Sequence, residues 1–229
     1  MKRRIFLASF GKASAGFAGA NLLAKLKTVN AAADPESRPP RIRIGQIGTA
    51  HAHASGKMAV LRRSEDFAVV GVVEPDAGRR RKAEESREYQ GLPWMTEEQL
   101  LNLEGLQAVA VETEVGALLS TAARVLAAGK HIHLDKPAGE SLSVFKTVIE
   151  EATRRRLTVQ MGYMFRYNPA FQFCFQAVRE KWLGEVFSID AGMGKVVDAE
   201  TRQALLKYRG GAMFELGCHV IDAVVNLLG

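Results

Sequence analysis

From residue 42 onward the chain alternates short apolar runs with longer stretches in which apolar and charged residues recur at helical spacing. Ile42–Ile47 is a short apolar run stopped by Gly48, and a helix-compatible stretch follows from about His53 to Arg63. Phe67–Glu74 reads as a second strand, continuous from Ala68 to Val73, closed by Glu74-Pro75-Asp76 and followed by a polar helix. Ala108–Val111 reads as a third strand, Leu118–Ala128 as a helix that Gly129 ends, and His131–Leu134 as a fourth strand. Ser141 to about Arg155 is helical, and Leu157–Tyr163 is the fifth strand. Continuous apolar strands separated by helices of this length predict an α/β fold with a doubly wound parallel sheet, because such strands are buried on both faces.

Composition narrows the class. With 47% hydrophobic and 24% charged residues in 229, the chain is globular, and two cysteines, Cys174 and Cys218, make no disulfide framework. Nothing in their spacing demands that they pair. The formal charge of +6 invites a nucleic-acid partner, but the excess sits in residues 1–33. Lys2, Arg3, Arg4, Lys12, Lys25 and Lys27 stand there with no acid, and removing those six from 31 leaves 25 basic against 25 acidic residues. The folding part therefore lacks the basic footprint that phosphate backbones require. Runs such as Arg79-Arg80-Arg81-Lys82 and Arg154-Arg155-Arg156 stand among glutamates, as solvated helix faces do.

The first 33 residues have the layout of a cleaved export signal: a basic start, a moderately apolar middle, and Ala31-Ala32-Ala33 before Asp34. Arg3-Arg4-Ile5-Phe6-Leu7 resembles the twin-arginine pattern, without a polar residue such as Ser before Arg3. Lys12, Asn21 and Lys25 interrupt what a spanning helix would need as about 20 apolar residues. Export machinery is thus an expected partner and the periplasm the expected location. Twin-arginine export carries folded proteins, which suits a protein that loads a cofactor first. Residues 34–41 form a polar, proline-bearing linker.

The turn after the first strand is Gly45-Gln46-Ile47-Gly48-Thr49-Ala50-His51-Ala52-His53. In doubly wound sheets a phosphate rests on main-chain N–H groups at such a strand-to-helix turn. Gly48 matches the first glycine of the dinucleotide fingerprint, while Ala50 and His53 replace the second and third. Glu74, 26 positions after Gly48, ends the second strand where a carboxylate accepts from adenosine ribose hydroxyls. A carboxylate there repels a 2′-phosphate and favours NAD over NADP.

Four ordered blocks then point to one family: Ile44-Gly45-Gln46-Ile47-Gly48-Thr49 with His51; Ala128-Gly129-Lys130-His131-Ile132-His133-Leu134-Asp135-Lys136-Pro137; Gly162-Tyr163-Met164-Phe165-Arg166-Tyr167-Asn168-Pro169; and Gly210 to Asp222, with Glu215, Gly217 and His219 inside it. With these the chain resembles the Gfo/Idh/MocA family of nicotinamide-dependent oxidoreductases. The resemblance implies a Rossmann domain over 42–162, an α/β substrate domain beginning at 163, and NAD or NADP as cofactor. It places Gly48, Thr49, Ala50, His51, Glu74 and Lys136 at the cofactor, and Tyr163, Arg166 and Asn168 at the substrate. Asp135-Lys136-Pro137 matches the family's Glu-Lys-Pro motif, whose lysine lies near substrate and nicotinamide and whose proline is often cis. His219 matches the candidate general base, and Glu215 falls where an aspartate commonly sits.

Residue chemistry is consistent with those roles. An ammonium beside a reacting hydroxyl orients it and stabilises developing alkoxide. Glu215, His219 and Asp222, at i, i+4 and i+7 of an expected helix, would share one face, with the imidazole flanked by two acids. The expected activity is hydride transfer between nicotinamide and a sugar, polyol or related hydroxyl compound. Two alternatives stand beside it: glycoside cleavage by NAD-dependent oxidation and elimination, and a non-catalytic Rossmann remnant that binds a partner. His51/His53 and His131/His133 invite a metal, but convergence of the two pairs is not implied, so they read as core or phosphate-side histidines with no metal assigned. Family members continue beyond the equivalent of Gly229, so the chain reads as C-terminally truncated. Glu185–Met193 is then one strand of an incomplete second sheet that oligomerisation or further chain would complete.

Overall fold

The computed structural model describes residues 39–229. Five parallel strands build its sheet: β1 (Ile42–Ile47), β2 (Phe67–Val73), β3 (Ala108–Val111), β4 (His131–Leu134) and β5 (Val159–Met161). Their spatial order is β2-β1-β3-β4-β5, so the direction of winding reverses between β1 and β3. That reversal opens a crevice beyond the carboxyl ends of the strands, where ligands of this architecture sit.

The helices between the strands are α1 (Ala54–Arg63), α2 (Ala77–Glu84), α3 (Glu97–Leu101), α4 (Val115–Ala127) and α5 (Leu142–Arg155). Each begins where the sequence supplies a start signal or a sharp turn. Asp76 accepts the Arg79 N–H to cap α2, Thr96 and Gln99 form a reciprocal capping box on α3, and Ser141 accepts the Val144 N–H to cap α5. Alternation along β3 and β4 divides the core. Val109, Val111, Ile132 and Leu134 face α4 and α5, packing on Leu118, Ala122, Val125, Leu126, Val148 and Ala152. Ala108 and Ala110 face the other way, against Leu61 of α1. Met58 of α1, Ala83 of α2, Val72 and Tyr89 complete that second layer.

Two glycines admit α3 to the sheet. A Cβ on Gly45 would lie 2.6 Å from a Leu100 methyl, and one on Gly71 would lie 2.6 Å from the Met95 methyl. The missing side chains form a slot that Leu100 and Met95 fill, and Leu100 is fully buried there.

After β5 come a 3₁₀ turn (Met164–Tyr167) and α6 (Pro169–Arg179), then α7 (Ala199–Leu205), α8 (Gly211–Glu215) and α9 (Cys218–Leu228). They belong to the same compact unit as the sheet. Two expectations are corrected here. Glu185–Met193 is not a strand, because no neighbouring strand offers it a hydrogen-bonding edge, and no regular structure lies between Gly184 and Ala199. The expected continuous helix through Glu215, His219 and Asp222 is interrupted at Leu216-Gly217, where the N–H groups of both residues turn back to the Ala212 carbonyl. The fifth strand is shorter than Leu157–Tyr163. Cys174 and Cys218 are free thiols. No helix among the described residues is long and apolar enough to cross a membrane. Residues 1–38, where the expected export signal over 1–33 falls, lie outside the described part.

Candidate active site

The β1–α1 turn is shaped by Gly48. Its φ of +90° is a left-handed conformation, and a Cβ there would lie 2.7 Å from the Thr113 nitrogen and 2.8 Å from the Glu112 carbonyl. Gly48 thus lets the first turn close against the end of β3. The following residues are pinned from both sides: the Gly48 N–H donates to the Val73 carbonyl, and the His51 N–H donates to the Glu112 carbonyl. The Ala50 and Ala52 N–H groups have no acceptor among the described residues, and no acidic side chain stands in the first turn of α1. Such a turn offers donors to an anion.

Glu74 is buried at the end of β2. One carboxylate oxygen accepts from the Thr49 N–H at 2.8 Å and the Thr49 hydroxyl at 2.7 Å; the other accepts from the Asp76 N–H and from Arg79. Burial works against the charge, but these hydrogen bonds outweigh it and hold the carboxyl below its ordinary range. Glu74 therefore supports the turn from within. Arg79 reaches on to Glu114 at 2.8 Å. Beside these groups lies a cleft of about 190 Å³, lined by Gly48, Ala50, Glu74, Arg79, Thr113 and Glu114 among others. Its donors, its small residues and its place at the winding reversal fit a dinucleotide. Ala50 adds one methyl where the fingerprint has glycine.

The second half of the site forms at the end of β4. Lys136 is 2% exposed, and its ammonium donates to a Glu215 carboxylate oxygen at 2.6 Å and to the Glu215 carbonyl at 3.0 Å. A lysine has three N–H donors, so one remains for a ligand. The Lys136–Pro137 bond is cis. His219 is 4% exposed, packed edge-on against Tyr163 and Phe165, and its Nδ1 has no hydrogen-bond partner. Burial first, then the charges of Lys136 and His53, lower its pKa, so the imidazole is neutral at neutral pH.

The predicted residues thus gather in two groups. Lys136, Glu215 and His219 come together, linking β4 to α8 and α9. Asp222 does not flank His219 as expected; although it shares α9 with the imidazole, its carboxylate takes a bidentate pair from Arg166 at 2.5 to 3.1 Å. Arg166 also lies over the Tyr163 ring, 5.3 Å from its centre. Asn168 caps α6, its side-chain oxygen accepting the Ala170 and Phe171 N–H groups. One buried acid was missed by the sequence reading: Glu112, fully buried immediately after β3. Its signal was present in the alternation, since it shares a face with Ala110 and pairs across to the face of His133 and Asp135.

The family model described as an oxidoreductase family with an NAD-binding Rossmann fold, GFO_IDH_MocA, matches residues 42–163. The chain belongs to this family. Among curated relatives, an uncharacterised oxidoreductase YhhX of Escherichia coli is 28% identical over 133 residues, covering 58% of this chain and 38% of that protein. A trans-1,2-dihydrobenzene-1,2-diol dehydrogenase of Sus scrofa is 24% identical over 174 residues, covering 75% of this chain and 51% of its own. The chain thus spans about half the length of such relatives, or less. Among solved structures, a scyllo-inositol dehydrogenase of Lactobacillus casei aligns with a TM-score of 0.65 at 18% identity, over 82% of this chain and 55% of that one. An NAD-binding protein of Listeria innocua aligns with a TM-score of 0.64 at 21% identity, over 81% and 54%. These likenesses speak for the fold. The Gfo/Idh/MocA family is NAD(P)-binding, and the Rossmann sheet of this member carries the cleft just described.

Proposed function

We propose that this chain carries the NAD(P)-binding half and the proton-handling residues of an exported oxidoreductase that acts on a hydroxyl-bearing carbon of a sugar, polyol or diol. One observation carries the reading: a buried lysine and a neutral buried histidine stand together at the carboxyl end of β4, beside a cleft with a dinucleotide's donors. The inositol and diol dehydrogenases among its neighbours support the substrate class. Glu74 favours NAD.

Bound nicotinamide supplies the hydride acceptor or donor. The third N–H of Lys136 orients the substrate oxygen and stabilises it as its proton leaves. His219 takes that proton, which its lowered pKa allows at neutral pH. Glu215 fixes the ammonium, and Arg166 with Asp222 fixes α9 and hence His219; these three are positioning residues. A homo-oligomer and the export machinery are the further partners proposed, with no nucleic acid.

The test uses the full-length protein with NAD and NADP against a panel of polyols and sugars, following NAD(P)H and product together. Net NADH with a ketone product supports the reading, and Lys136→Met and His219→Ala must each abolish most of it. Normal turnover in either variant sinks the assignment, and product without net NADH moves it to oxidation followed by elimination. Export is checked by the N-terminus of the protein recovered from the cell envelope: a start near Asp34 supports it, and an intact leader in the cytoplasm overturns it.

A further inference from the structure

Beneath the β1–α1 turn, four side chains from three chain segments meet. Alternation brings Glu112, just past β3, to the same face as His133 and Asp135 on β4 and just beyond it. Ala110, directly opposite His133, leaves room for the imidazole. His51 closes the group from above. The distances are 3.8 Å from His51 Nδ1 to Glu112 Oε2, 3.7 Å from His51 Nδ1 to Asp135 Oδ2, and 4.0 Å from His133 Nε2 to Glu112 Oε1.

His51, Glu112 and Asp135 are buried and His133 is half-buried, and their free atoms are shielded from solvent. Both oxygens of Glu112, Oδ2 of Asp135 and Nε2 of His133 have no hydrogen-bond partner. Glu112 and Asp135 are each 0% exposed. Unpaired buried acceptors of this kind are costly and uncommon, and four together ask for a cation. We propose that Glu112, His133, Asp135 and His51 hold one divalent transition-metal ion of the zinc class.

The surrounding groups are arranged as metal ligands need them. His51 Nε2–H donates to the Lys136 carbonyl at 2.9 Å, which leaves the lone pair on Nδ1. His133 Nδ1 faces Gln160 Oε1 at 3.4 Å, which leaves the lone pair on Nε2. Asp135 Oδ1 accepts from the Lys136 N–H at 2.7 Å and from His53 at 3.0 Å, leaving Oδ2 for the ion. Outer partners that fix tautomer and orientation in this way accompany most histidine and carboxylate ligands. The His53 N–H reaches His51 Nδ1 at 3.3 Å, a long bond that the ion would replace.

Ligand atoms of tetrahedral zinc lie roughly 3.4 Å apart, given bonds near 2.0–2.1 Å. Three edges measure 3.7 to 4.0 Å, with Glu112 facing His51 through Oε2 and His133 through Oε1, and the ligand atoms of Glu112, His133 and Asp135 lie within 4.8 Å of one another, so the ion would draw the four groups inward. Two imidazoles and two carboxylates suit zinc and its neighbours, whereas magnesium prefers an octahedral shell of oxygens. Lys57 of α1 faces Glu112 and His133, without a hydrogen bond to either among the described residues, and Lys136 acts on His51 from above. The ion would fasten the turn, β3 and β4 together directly under Lys136.

The test is metal content, and it stands apart from any turnover assay. Full-length, tag-free protein is stripped with chelator, reloaded with Zn²⁺, desalted and assayed by mass spectrometry of the elements; a parallel sample is titrated with Co²⁺. About one Zn²⁺ per chain and the visible absorption of four-coordinate Co²⁺ are expected. Glu112→Gln should weaken binding at least tenfold, and Gln160→Ala, which removes only the outer partner of His133, should weaken it by about 10-fold to 100-fold with the fold retained by circular dichroism. Folded wild-type protein that keeps less than a tenth of an equivalent overturns the proposal, whatever the variants do. So does a folded Glu112→Gln protein that holds Zn²⁺ like the wild type.

Discussion

The sheet region, residues 42–162, and the segment after it, 163–229, differ in what holds them. In the sheet region both faces of every central strand are covered, and Val109, Ala110, Val111, Leu118, Val125 and Leu134 are fully buried. In the later segment the buried residues are Phe175, Ala177, His219, Asp222 and Ala223, while Phe187 is 98% and Val196 100% exposed. The first region is fixed by packing. The second is tied to it by the Lys136–Glu215 ion pair and by Tyr208 and Phe214 packed against the sheet's core, and is braced within itself by Arg166 with Asp222. The proposed chemistry therefore depends on whether a loosely packed segment can hold His219 steadily against a rigid lysine.

The largest expected effect falls on the junction. His219→Ala in the full-length protein should lower kcat/KM by about 10²- to 10⁴-fold, the usual contribution of a positioned acid or base, with NAD(P) affinity unchanged by fluorescence titration. Loss of nucleotide affinity instead would mean that the segment shapes the cofactor cleft. Next comes packing: Leu118→Ala, in the region's tightest layer, should cost about 2–5 kcal/mol in denaturant unfolding. A cost under 1 kcal/mol would show that the layer collapses around the deletion. Arg166→Met should cost about 1–3 kcal/mol, because Asp222 is left buried without its partner, and it should lower kcat through His219.

A pH profile sharpens the same comparison. The pKa of His219 is below its ordinary 6.5, so the base stays neutral to lower pH than a free histidine, and the acid limb of kcat/KM should fall below pH 6.5. For stability the sign is the same: below 6.5 the unfolded state binds the proton first, so stability declines as pH falls. An acid limb above 6.5, read from initial rates, would contradict the buried, neutral imidazole. The smallest effect is expected at Val225→Ser, 59% exposed on α9, which should change stability by about 0.5 kcal/mol or less. A larger loss would mean that something covers this face.

Much of the sheet was legible in the sequence because its strands are continuous apolar runs. The first four strands match their predicted cores, and α5 starts at the serine that caps it. The later segment was not legible in the same way. Glu185–Met193 has strand-like composition, but a strand exists only with a paired edge, and the structure gives it none. Spacing at i, i+4 and i+7 promised one face for Glu215, His219 and Asp222, yet the helix is interrupted at Leu216-Gly217, between the first and the second. Glu112 was overlooked because a charged residue after a buried strand looks like a loop residue. Only the alternation of two adjacent strands, taken together, turns it inward toward His133 and Asp135.

The slot formed by Gly45 and Gly71 has a consequence for anyone who redesigns this domain. Volume at those two positions and at Leu100 and Met95 is a shared quantity, since each glycine lacks the atom that its neighbour occupies. In a library that varies β1 alone any side chain at 45 must push the Leu100 methyls aside, whereas coupling Gly45→Ala to a smaller residue at 100 relieves that contact. Positions that look independent in the sequence, 55 residues apart, must be varied as a pair.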